Sequence, residues 1–145
     1  MIILHSDRTM ALFGLFDRIG TQATMAGALY AEKEIKESMS KPKTGRIYNV
    51  QKISKKGKKS LKVHQASAPG EPPAIDTGAL VNSIKAERVG TTDARTFTNN
   101  EQAPHLEYGT VKMPARPFMT PAGYKAVEFM DKYIDKALKN ELGVK

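Results

Sequence analysis

From Ser6 to Met39 the chain repeats apolar residues at intervals of three and four, and this stretch limits the folds open to it. Leu12, Phe16, Ile19, Ala23 and Ala26 make one series. Met25, Leu29, Ile35 and Met39 make a second, interrupted by Glu32. Ser6 suits an N-cap and Asp7 the positive end of a helix. Gly14, Gly20 and Gly27 each weaken a helix by about 1 kcal/mol against Ala, which allows a break near Gly20. Lys41-Pro42 ends the element, because proline disfavours helix at the residue before it. The predicted N-terminal helical region is 6–40.

Beyond it the period changes. Residues 45–67 partly alternate on either side of SKKGKKS, which predicts a β-hairpin with a lysine-rich tip. SAPGEPPA follows as an extended connector whose three prolines restrict it. Asp76 is then expected to cap a short helix, TGALVNSI, with Leu80 and Ile84 one turn apart. Two short strands are expected at 85–89 and 95–98, around Gly90-Thr91-Thr92-Asp93. Thr120 is expected to cap the last helix, with Pro121 at its first position. Val127, Met130, Ile134, Leu138 and Leu142 would form its apolar stripe, and Gly143 its end. The expected fold is one α+β domain over 1–145, with 76–142 supplying the short helix, strands and C-terminal helix. A small antiparallel sheet would pack against the long N-terminal and C-terminal helices, and a basic hairpin would protrude.

At 145 residues, 40% hydrophobic and 26% charged, the composition is that of a soluble globular chain. MALFGLF, the longest nearly apolar run, is far too short to span a bilayer. Neither a membrane partner nor a secretory leader is expected. Zero cysteines exclude disulfides and thiolate metal sites and fit folding in a cytoplasm. Nine Lys and Arg lie between Glu37 and Glu71 with no acid among them, so the net charge of +8 leaves −1 for the rest. The basicity belongs to one local element and speaks of that element's neighbours.

The chemical readings are soon exhausted. His105-Leu106-Glu107 has the H-x-E spacing of zinc deaminases, but their downstream Cys ligands are missing. The alternative places His105 and Glu107 as ordinary polar residues on one side of a strand. Three scattered histidines make no metal centre, and no phosphate-loop, dinucleotide or hydrolase-elbow motif occurs. Asp76-Thr77-Gly78 resembles half of an aspartic-protease dyad, but precedes a helical run, where capping explains it better. No catalytic residue, cofactor or metal is expected. Lys55, Lys56, Lys58 and Lys59 could neutralise phosphates or meet an acidic protein, and no aromatic interleaves with them to stack on bases. Phe118, braced by Pro117 and Pro121, loses little entropy on docking, either into the core or against a neighbouring subunit.

Two segments, SAPGEPPAIDTGALVNSI (67–84) and HLEYGTVKMPARPFMTPA (105–122), resemble the head–tail joining or tail-completion proteins of long-tailed siphophages. Asp76, Thr77, Gly78, Leu80, Ser83 and Ile84 match the family's first pattern. Glu107, Tyr108, Gly109, Thr110, Pro114, Ala115, Pro117, Phe118, Pro121 and Ala122 match its second. GRIY and HQASAPGEPPA fit one branch, so the likeness covers about residues 21 to 142. The lysine tip and Pro104-His105 depart from the pattern. The resemblance implies a non-enzymatic virion protein of the neck, assembled in the host cytoplasm. Its partners would be copies of itself in a ring, a hexamer or else a dodecamer, around the DNA channel. Others would be the head connector or stopper and the tail terminator or tail-tube proteins. Glu107, Tyr108, Gly109, Thr110, Pro117 and Phe118 would supply interface contacts, and the four tip lysines would meet DNA or an acidic partner. The alternative is a small basic DNA-binding accessory protein acting through the same lysines.

Overall fold

The N-terminal apolar repeat folds as one helix. In the computed structural model, which describes residues 6–54, 57 and 59–143, α1 runs unbroken from Ser6 to Ser40. It continues through Gly20 and ends ahead of Pro42, where the Lys43 ammonium donates to the Ser38 carbonyl at 2.8 Å. The last helix, of Met119–Leu142, lies antiparallel to it. Ion pairs from Arg18 to Glu141 and from Glu34 to Lys125 fix that direction, as does the stacking of Tyr30 on Phe129 at 4.4 Å between ring centres. At Gly27 a Cβ would run into the Met130 side chain, so the missing side chain admits the facing helix there.

Between the long helices the order is β1 (Ile47–Ile53), β2 (Lys59–Gln65), α2 (Ala79–Ser83), β3 (Lys85–Arg88), β4 (Ala94–Phe97) and α3 (Ala103–Tyr108), which makes Met119–Leu142 α4. The class is α+β, as the residue pattern predicts. The strands form two separate antiparallel pairs, β1 with β2 and β3 with β4. The second pair packs on α1: the Thr96 hydroxyl donates to the Ala28 carbonyl at 2.7 Å, and the Ala86 amide to the Glu32 carboxylate at 2.7 Å. Glu32, the polar interruption in the apolar series, thus serves a strand amide. The core gathers Ile35 and Met39 of α1, Ile84, Ala103 of α3, Phe118, and Ala122 of α4, with Leu80 and Leu106 against them.

Several local expectations change. The segment around Glu107 is helix α3, not a strand end, since Pro104 sits in its first turn, where no amide is needed. The cap of α2 is Gly78 in the left-handed region, which brings the Thr77 hydroxyl, rather than Asp76, to the Ala79 amide at 3.3 Å. α4 starts at Met119, so Pro121 lies third in the helix, and Thr120 is not its cap. On the packed face of α4, Ala122 and Ala126 are buried and Met130, Ile134 and Leu138 half-buried, whereas Val127 and Leu142, the two ends of the expected stripe, are exposed. Close approach of two helices selects the small residues. Gly143 does end α4, in the left-handed region, its amide reaching the Lys139 carbonyl.

Phe118 is 1% exposed at the centre of this core. Its replacement by Ala should cost about 3–5 kcal/mol, the usual loss for a buried phenyl ring. Urea unfolding of the isolated protein will show this as a lower midpoint at unchanged slope; an unchanged midpoint would contradict the core placement.

Candidate assembly surfaces

The segment 105–122 is a joint whose pivot is a carboxylate. Glu107, 7% exposed, accepts the amides of Phe118 and Met119 on Oε2 at 2.8 and 2.9 Å, and that of Thr120 on Oε1 at 2.8 Å. These are donors that the first turn of α4 cannot satisfy within the helix, and the next position, Pro121, has no amide to satisfy. The negative charge also faces the positive end of the helix dipole. Burial alone would push the Glu107 carboxyl up, but those amides and the Thr120 hydroxyl hold it below its ordinary 4.5. Between α3 and α4, Thr110 and Met113 exchange backbone hydrogen bonds at 2.8 and 3.1 Å, closing a tight turn. Gly109 is required there, with φ at 77° and a hypothetical Cβ 2.8 Å from the Ala115 nitrogen and the Met113 oxygen.

This placement divides the six residues expected at an interface. Glu107 and Phe118, expected as partner contacts, are buried within the chain itself, where Phe118 takes the core side of its two readings. Gly109 and Pro117 are half-buried and shape the joint. Tyr108, 80% exposed, and Thr110 remain on the surface, with Val111 fully exposed at the tip of the turn.

A second surface is the β1–β2 hairpin. Its base is closed by Glu71, which accepts the Thr44 hydroxyl at 2.7 Å, the Thr44 amide at 3.1 Å and the Ala68 amide at 2.8 Å. These bonds, the Thr44 hydroxyl first, draw the Glu71 carboxyl down to about 2. Asn49 pairs with Val63 and Gln51 with Leu61, so Ile47, Leu61 and Val63 share one face of the hairpin. All three are more than half exposed. Lys59, at the start of β2, is exposed; Lys55, Lys56 and Lys58 lie outside the described residues.

The third surface was concealed by the helical period. α1 has 35 residues and α4 has 24, so with Arg18 opposite Glu141 the first turns of α1 extend past the end of α4. Leu12, Phe13 and Phe16 are accordingly exposed there, although the spacing of Leu12 and Phe16 reads as core. The signal that could have found them is the difference in length between the two apolar repeats.

Among the described residues, no three His, Asp or Glu side chains gather to hold a metal ion, and no helix is long and apolar enough to cross a membrane. No protein-family model, curated protein or solved structure matches this chain.

Because the folded Glu107 carboxyl titrates below 4.5, its contribution to stability is present above that pH and is lost as the pH falls through the lower folded value. Glu71 acts in the same direction. Glu107→Gln should cost about 2 kcal/mol near neutral pH, since bonds to an ionised acceptor are the stronger kind. Denaturant unfolding between pH 7 and pH 2 should then show a shallower acid decline in the variant than in the parent; parallel declines would remove Glu107 from the acid response.

Proposed function

We propose that this chain is a structural subunit of the neck of a long-tailed phage, forming a ring that completes the tail and joins it to the head connector around the DNA channel. The observation that carries this reading is the hairpin. A lone two-stranded hairpin is marginal in water, and this one exposes Ile47, Leu61 and Val63 on one face. Such a face suits a neighbouring copy, which would cover it and pair its free edges. The exposed turns of α1 and the Tyr108–Val111 tip offer further contact area on other parts of the chain. The two motifs that resemble the neck proteins lie at the joint and the α2 region, where they shape the scaffold that presents these surfaces. The protein acts by assembly and shape, without catalysis.

Sedimentation and negative-stain imaging over a rising protein concentration test this reading. Closed rings, six-fold in the expected case, should appear for the parent chain. Leu61→Glu with Val63→Glu should leave a folded monomer. A parent that stays monomeric at high concentration and is absent from virions would refute the ring.

The concentration of positive charge between Glu37 and Glu71 favours a second reading, a DNA-binding accessory protein. Duplex binding should then weaken steeply with salt and collapse when Lys55, Lys56, Lys58 and Lys59 become Gln. No binding at low salt would assign the lysines to a protein partner.

A further inference from the structure

Ala122, Ala126 and Met130 turn one side of α4 to the fold. At about 3.6 residues per turn, the opposite side carries Tyr124, Glu128, Asp131 and Asp135, with Val127 beside them. All five are exposed, Tyr124 by 72% and Val127 by 58%. Lys132, Lys136 and Lys139 stand to one side of this strip, and Lys125 is engaged by Glu34 at 2.6 Å. Among the described residues, no Lys or Arg lies within ion-pair distance of Glu128, Asp131 or Asp135. The outer face of α4 is therefore apolar at its start and acidic further along.

The hairpin carries the complement. Alternation along β1 and β2 places Lys59 on the same side as Ile47, Leu61 and Val63, at the far end of that side. The stretch around them, between Glu37 and Glu71, has nine Lys and Arg and no acid. The spacings agree as well. From the middle of Leu61 and Val63 to Lys59 is about three residues of strand, or about 10 Å. From the middle of Tyr124 and Val127 to that of Asp131 and Asp135 is about 7.5 residues of helix, or about 11 Å. The exposed turns of α1 offer no such match, since the stretch from Leu12 to Phe16 contains no carboxylate. We infer that the apolar face of one hairpin docks on the outer face of α4 in a second copy of this chain. Ile47, Leu61 and Val63 meet Tyr124 and Val127, and Lys59 meets Asp131 and Asp135. Apolar burial drives the contact and the charges set its register. Two different patches of one chain that fit each other make a head-to-tail contact, which closes into a ring where the rotation allows. The inference rests on the ring reading and names the surface that receives the hairpin.

The chain has no cysteine, so single cysteines report on one contact at a time. Asn49 pairs with Val63 on the hairpin face and is itself exposed. Full-length Asn49→Cys is mixed with 15N-labelled Val127→Cys, and a short bismaleimide joins thiols that are held close. Mass spectrometry separates mixed from like dimers. Mixed 49–127 dimers should predominate at low salt and decline as salt screens the charges. Asp131→Asn with Asp135→Asn on the α4 copy should lower their yield roughly threefold or more, with the thermal melt unchanged because both side chains are exposed. Leu61→Glu on the hairpin copy should abolish them. The contact is overturned if 49–49 dimers predominate, or if Phe13→Cys captures the hairpin as well as Val127→Cys does. It is also overturned if the two Asn replacements leave the yield unchanged. Sedimentation of the parent chain, run alongside, separates this contact from the ring itself. Rings without the 49–127 link overturn the contact alone, whereas the link without rings supports the contact and overturns the ring.

Discussion

The Glu107 carboxylate on the free amides of Phe118, Met119 and Thr120 is the contact on which the rest of the fold depends. It fixes where α4 begins and therefore how α4 lies along α1. It also draws α3 against the start of α4, which seats Phe118 among Ile35, Met39 and Ile84. A buried carboxylate is unfavourable in isolation, and here three charge-assisted bonds and a helix dipole compensate. The Pro117-Phe118 and Thr120-Pro121 pairs make sense around it. Proline restricts the approach to the helix, and the one first-turn position that lacks a hydrogen bond is one that has no donor to bond.

Two further glutamates repeat the device. Glu32 accepts an amide of β3 and Glu71 closes the base of the β1–β2 hairpin. In each case a carboxylate takes an amide from a segment distant along the chain, and so joins two elements. In a chain without cysteines such bonds help tie distant segments together, and unlike a disulfide they respond to acid.

This explains what was legible in the sequence. α1, the hairpin strands, the β3–β4 pair and the glycine end of α4 are local, and the spacing of apolar residues or the chemistry of one turn reveals them. The roles of Glu107, Glu32 and Glu71 span 11, 54 and 27 residues in their bonds to Phe118, Ala86 and Thr44, beyond the reach of any local pattern. Phe118 fits core and interface equally in the sequence, which shows its rigidity but not its surroundings. Leu12 and Phe16 misled for a related reason: periodicity marks a face as apolar, and whether another element covers it depends on where that element stops. Asp76 and Thr120 are good capping residues in the wrong register, displaced by one left-handed glycine and one distant carboxylate.

The unbroken course of α1 has a mechanical consequence. A helix of 35 residues with neither proline nor hinge is one continuous element, anchored by the packed stretch from Ala23 to Met39. Its exposed first turns, with Phe13 and Phe16, are therefore continuous with the stretch in which Glu32 holds β3 and Met39 enters the core. A partner gripping those first turns would thus hold the same element that carries the strands and the core.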